Sequence, residues 1–145
     1  MTREWHSKSE EETAAAGREI ARLLADDALV YLSGDLGAGK TLLVRAIATE
    51  LGADPLEVAS PSFSLVHEYP RQGRLPIIHV DGYRLSENRR EWLEIGIDEL
   101  IRGPGLKFIE WPKRNFDEFG QATVEIEVHV ENDESRRIRL TKHGG

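Results

Sequence analysis

The sequence predicts an α/β three-layer sandwich with a mostly parallel central sheet and an added C-terminal antiparallel hairpin. Three observations carry this. An apolar run, Ala28 to Leu32, leads through a glycine-rich loop into helix-forming sequence. Two more apolar runs, Leu75 to Asp81 and Leu106 to Glu110, each end on a carboxylate and are separated by helical sequence, an alternation expected of buried strands in an α/β domain. From Val124 to Thr141 apolar and polar residues alternate, as in a strand pair with one buried and one wet face.

The elements follow in order. Ser9-Glu10-Glu11-Glu12 has capping-box spacing, and Ala16, Ile20, Leu23 and Leu24 recur at helical intervals, so residues 9–25 read as an amphipathic helix ended by Asp26-Asp27. Leu42 to Ala48 is a second helix, with Leu42, Leu43, Ala46 and Ile47 on its apolar face. Gly52 to Pro55 breaks the pattern, and Val58 to Val66 reads as a loop feeding a strand that runs to about Tyr69. Arg71 to Arg74 is a turn before the strand ending at Asp81. Ser86 to Glu94 and Ile97 to Ile101 are short helices separated at Gly96, and Gly103-Pro104-Gly105 closes the segment. In the C-terminal hairpin, keeping apolar residues opposite one another fixes an even residue sum. That predicts a three-residue turn, Asn132-Asp133-Glu134, and sets Glu127 across from Arg139.

With 145 residues and no interdomain linker or repeat, residues 1–145 are expected to form a single domain. Nineteen Lys and Arg against 26 Asp and Glu leave a formal charge of −7, a poor footprint for neutralising a nucleic-acid backbone directly. The absence of cysteine excludes disulfides and thiolate metal sites. The N-terminus lacks the apolar core of a signal peptide and no run reaches the length of a membrane span, so a soluble, cytoplasmic protein is expected.

Gly34-Asp35-Leu36-Gly37-Ala38-Gly39-Lys40-Thr41 fits the phosphate-loop pattern G-x-x-x-x-G-K-[ST] in the strand-to-helix setting the motif requires. A loop that turns its N–H groups onto phosphate oxygens crowds Cβ atoms, hence Gly34, Gly37 and Gly39. Lys40 supplies a mobile charge for the β- and γ-phosphates. Thr41 offers a hydroxyl to Mg²⁺ and opens a helix whose N-terminus favours the anion. The motif specifies a nucleoside triphosphate and leaves the reaction open.

Such a site needs an acid at the end of a buried strand beside the loop, holding Mg²⁺ or its water. Asp81 and Glu110 both fit, and residue type alone does not rank them. The hydroxyls of Ser60 to Ser64 lie where nucleotide-sensing loops run, with an ordinary Ser-Pro turn as the alternative. His79 reads as a hydrogen-bonded core or rim residue sooner than a base. Trp111 reads as core packing sooner than as a cover over the nucleotide or a partner, and Arg84 is suited equally to phosphate or to a surface ion pair.

Together, the loop from Gly34 to Thr41, Ser60-Pro-Ser-Phe-Ser-Leu65, His79-Val-Asp-Gly-Tyr-Arg-Leu85, Glu94-Ile-Gly96 and Glu110-Trp-Pro112 resemble the TsaE (YjeE) family. These are small bacterial ATPases required, with TsaB and TsaD, for threonylcarbamoylation of adenosine in tRNAs that read codons beginning with A. The resemblance runs from the N-terminal helix to Pro112. It implies a P-loop NTPase-like fold in which Gly37 to Thr41 cradle the phosphates of ATP, Thr41 and Glu110 hold Mg²⁺, and Asp81 assists the metal or orients the attacking water. It also implies a switch loop at Ser60 to Ser64, residues around Ser9 to Thr13 near the adenine, and contact with tRNA only through the complex. Gly82 departs from the family's usual leucine, which implies a gap or a looser turn, and Ser62 replaces a common threonine while keeping the hydroxyl.

Rival readings are a small-molecule kinase, for which this length leaves little room for an acceptor lid, and a nucleotide-dependent binding module without turnover. A GTPase is disfavoured because no N-K-x-D segment occurs.

Overall fold

The computed structural model describes residues 1–35, 38–54, 56, 59–62, 66–82, 89–110, 120–132 and 134–143, with the side chains of residues 59–62 and 89 outside that description. The strands are β1 (Thr2–Ser7), β2 (Leu29–Gly34), β3 (Ala59–Ser62), β4 (Val66–Arg71), β5 (Arg74–Asp81), β6 (Lys107–Glu110), β7 (Val124–Val130) and β8 (Arg136–Lys142). The helices are α1 (Glu10–Ala21), α2 (Lys40–Glu50), α3 (Arg89–Glu94) and α4 (Ile97–Arg102).

Among the described residues one eight-stranded sheet runs β1-β8-β7-β2-β6-β5-β4-β3. Its centre, β7-β2-β6-β5, is parallel, and antiparallel strands extend it on both sides. The C-terminal hairpin has the expected register: Glu127 faces Arg139, and Glu131 N–H bonds to Ser135 O across the turn. Asn132 Oδ1 holds the turn by accepting from the N–H groups of Glu134 and Ser135.

The sheet is buried between two helical layers. Val30, Leu32, Ile77, Phe108, Ile126 and Ile138 pack against Ile20 of α1 and Leu43 and Ile47 of α2. Leu29, Val80 and Ile109 face the other way, onto Trp92 and Ile97 of the α3–α4 segment. This alternation makes the three layers, because successive residues of one strand serve opposite helical layers.

Three elements differ from expectation. Within the stretch read as a loop, Ala59–Ser62 forms strand β3, paired antiparallel with β4. Helix α1 ends at Ala21, since the Arg22 N–H already turns back to Glu19 O; Leu23 and Leu24 lie beyond the helix and still pack on the core. Strand β1 was not foreseen. It joins β8 over Thr2–Ser7, placing Trp5 opposite Ile138, and the Trp5 indole N–H donates to Glu19 on α1 (2.7 Å).

Candidate active site

Strand β2 delivers Gly34 to the carboxyl edge of the sheet, and Gly39 opens α2. The two glycines are required for different reasons. At Gly34 (φ 145°) a Cβ would stand 2.2 Å from Val128 O on β7, so the neighbouring strand excludes any side chain. At Gly39 (φ 95°, ψ 23°) a Cβ would meet none of the described residues within 4 Å, and the left-handed backbone by itself favours glycine. The first turn of α2 contains no acid, which leaves its positive dipole end to an incoming anion.

Lys40 is almost fully buried and donates from Nζ to Gly34 O (2.8 Å) and Asp35 O (2.9 Å). Burial lowers the proton affinity of its ammonium, opposed in decreasing order by the charges of Glu110, Asp35 and Asp81. The predicted loop lysine therefore sits in the field of both predicted acids.

The acids come from neighbouring strands. Glu110 pairs with Leu32 of β2 on one side and with Asp81 of β5 on the other. Paired residues of parallel strands share a face, so both carboxylates lie on the α1/α2 side of the sheet, the side of Leu32 and Phe108. Strands are spaced about 4.8 Å apart, so Glu110 is one strand and Asp81 two strands from the strand that carries the loop. Glu110 is buried and Asp81 half-buried. His79, on the same face of β5, is a hydrogen-bonded core residue, and its partner is Glu110: Nε2 lies 2.8 Å from Oε1.

Thr41 stands exposed in the first turn of α2. Among the described residues no three His, Cys, Asp or Glu cluster as a ready-made metal cage. A hydroxyl with one or two carboxylates fits Mg²⁺, a hard cation that keeps waters and substrate phosphates in its shell.

A cavity of about 560 Å³ adjoins the loop, lined by Ser9, Thr13, Ala38, Gly39, Leu42 and Arg136 among others. Ser9 and Thr13, expected near the adenine, are thus beside the phosphate loop. Both hydroxyls also serve the fold: Ser9 Oγ accepts from Glu12 N–H as the α1 cap, and Thr13 Oγ1 is 2.7 Å from Ser7 Oγ.

Sequence reading missed the hairpin's hold on the loop. Arg136 Nε donates to Ala38 O (3.2 Å) while Nη1 reaches Asn132 O and Ser135 O, and Val130 N–H donates to Asp35 Oδ2 (3.4 Å). The signal was present in the parity: Arg136 shares the face of Ile138 and Leu140, an odd place for a cation unless it has acceptors there.

The gap expected at Gly82 does not exist. A Cβ at Gly82 would fall 1.9 Å from Glu110 O and 2.3 Å from Trp92 Cη2, so the indole and the β6 backbone already fill the space. Leu36, Gly37, Phe63, Ser64, Arg84, Trp111 and Pro112 lie outside the described residues, as do the side chains of Ser60 and Ser62.

The family model described as "Threonylcarbamoyl adenosine biosynthesis protein TsaE" matches residues 7–138. The chain belongs to the TsaE family. It is 39% identical over 134 residues to the tRNA threonylcarbamoyladenosine biosynthesis protein TsaE of Treponema pallidum, covering 92% of this chain and 96% of that one. To the TsaE of Bacillus subtilis it is 32% identical over 140 residues, covering 97% and 85%. Among solved structures, Bacillus subtilis YdiB superposes with a TM-score of 0.70 at 28% identity, covering 99% of this chain and 87% of that one. TsaE membership accounts for the P-loop fold, and a P-loop fold implies nucleotide binding.

Proposed function

We propose that this chain binds ATP with Mg²⁺ and hydrolyses it as the ATPase component of tRNA N6-threonylcarbamoyladenosine formation, acting with the TsaB and TsaD proteins. The observation that carries the reading is the placement of Lys40 beneath its loop with Glu110 one strand away and Asp81 beside it, in a chain whose relatives are named for that modification. In this reading the N–H groups from Gly34 to Thr41 cradle the phosphates, and Lys40 leaves its loop carbonyls for the β- and γ-oxygens. Ser9 and Thr13 line the base end of the cavity. Thr41 and Glu110 hold Mg²⁺, which when bound neutralises charge on the β- and γ-phosphates. Asp81, one strand farther out, orients the attacking water, and ADP and phosphate are released.

The free chain turns over slowly on this reading, because a cation supplied in trans contributes several orders of magnitude in related chemistry. Hydrolysis then drives a conformational cycle of the assembly, and the chain does not touch the transferred carbamoyl group. The charge of −7 suits contact with tRNA only through the complex, in the cytoplasm. No helix of the described residues is long and apolar enough to cross a membrane.

The test is ATPase activity and tRNA modification, reconstituted with and without purified TsaB and TsaD. Phosphate release should rise when both partners are present, and Glu110→Ala should bind ATP and dock yet lose turnover and modification. Transfer of labelled phosphate to an organic acceptor would overturn the reading in favour of a kinase. Full modification by Glu110→Ala would make the chain a passive nucleotide-dependent module.

A further inference from the structure

We infer that His79 is a positioning residue for the metal site: its imidazole fixes the orientation of the Glu110 carboxylate through a hydrogen bond donated from Nε2. The inference rests on the assignment of Glu110 as a Mg²⁺ ligand given above.

Three observations support it. Both side chains are buried, and Nε2 and Oε1 are 2.8 Å apart, so each is the other's partner in a setting where an unpaired carboxylate is costly. The two residues lie on adjacent strands, β5 and β6, offset by two residues in register. His79 pairs with Phe108 and Asp81 with Glu110, so the ring reaches along the sheet to the neighbouring strand's acid. The ring is itself held, with Tyr69 stacked on it at 6.3 Å and 23° and His67 tilted against it at 5.8 Å.

Nε2 faces a carboxylate oxygen, which accepts, so the hydrogen on Nε2 is donated to Glu110. Nδ1 is buried and has no hydrogen-bond partner among the described residues, which leaves Nε2 as the ring nitrogen engaged there. Residues that hold a metal's ligands in this way typically govern affinity by 10–100-fold.

The experiment compares the unmodified chain with His79→Leu, His79→Gln and Glu110→Ala, each checked by thermal unfolding. Mn²⁺ is the probe, titrated into the ADP complex with the free ion read by electron paramagnetic resonance. His79→Leu should weaken Mn²⁺ binding at least about tenfold while ADP affinity without metal changes less than about twofold. His79→Gln, whose amide can still donate, should recover most of the loss. Nitrogen-15 spectra of the unmodified protein should show hydrogen on His79 Nε2. Wild-type Mn²⁺ affinity in folded His79→Leu, failure of Gln to rescue, or an Nε2 without hydrogen would each overturn the inference. The spectrum decides on its own if the Leu variant does not fold. Unchanged Mn²⁺ affinity in Glu110→Ala would instead overturn the assignment of Glu110 as ligand, so the two failures are distinguishable.

Discussion

Replacing Gly82 by alanine should destabilise the protein by about 3 kcal/mol and disturb the proposed metal site together with the fold. The added Cβ would lie 1.9 Å from Glu110 O and 2.3 Å from Trp92 Cη2. Ordinary contacts of these kinds are about 3.3 Å for carbon to oxygen and about 3.5 Å for carbon to carbon, so each neighbour must retreat by roughly 1.2 to 1.4 Å. Neither has room. Glu110 O belongs to the buried central strand β6, and Trp92 is fully buried. Overpacking of this kind costs about 1–3 kcal/mol, and expelling a buried tryptophan about 3–5 kcal/mol. For a chain of this size the Tm should fall by roughly 6–12 °C. Urea unfolding followed by tryptophan fluorescence measures the first quantity. Because Glu110 moves with its carbonyl, Mn²⁺ affinity of the ADP complex should fall as well. Combining Gly82→Ala with Trp92→Leu removes one of the two clashes, so the double variant should be less destabilised than the summed singles by about 1 kcal/mol or more. Stability of Gly82→Ala within about 0.5 kcal/mol of the parent, or strict additivity, would refute the steric argument.

Stability should respond to alkaline pH with opposite signs in two windows. Burial lowers the proton affinities of Lys40 and Lys107, so approaching the ordinary lysine value from below the unfolded chain holds more protons than the folded one, and ΔG of unfolding rises with pH. Burial raises the Tyr69 hydroxyl above the ordinary tyrosine value, against the hydrogen bond from Arg45, so once unfolded tyrosine ionises the folded state loses stability with rising pH. Urea midpoints across the alkaline range should therefore pass through a maximum, and Lys40→Met should flatten its rising side; an unchanged rise in that variant would contradict the burial of Lys40. Arg136→Ala removes the side-chain bonds to Ala38 O, Asn132 O and Ser135 O. It should cost about 1–2 kcal/mol and weaken ADP binding, measured by urea unfolding and calorimetry, and wild-type ADP affinity would show that the loop does not depend on the hairpin.

The parts legible in the sequence are those set by local pattern. The Gly34–Thr41 loop, helix α2, the strands ending at Asp81 and Glu110, and the Glu127–Arg139 register all follow from spacing or parity within short windows. What escaped depends on distant partners. Strand β1 has charged, weakly apolar sequence and becomes a strand only because β8 offers it an edge. Asp81 and Glu110 were indistinguishable by residue type, since their difference lies in strand order, with β6 and not β5 beside β2. His79 and Glu110 are 31 positions apart, and no local window contains both. The end of α1 misled for another reason: Leu23 and Leu24 continue the helical spacing, yet they reach the core from turns.

The cavity beside the phosphate loop has one wall from Lys8 to Thr13 and another from Glu134 and Arg136. During synthesis the first wall leaves the ribosome more than a hundred residues before the second, and Gly34 waits 94 residues for Val128 of β7 to cover it. Contacts this remote are slow to form because a long chain must be closed first. A nascent chain therefore carries this cavity half-built until the last strand pair emerges.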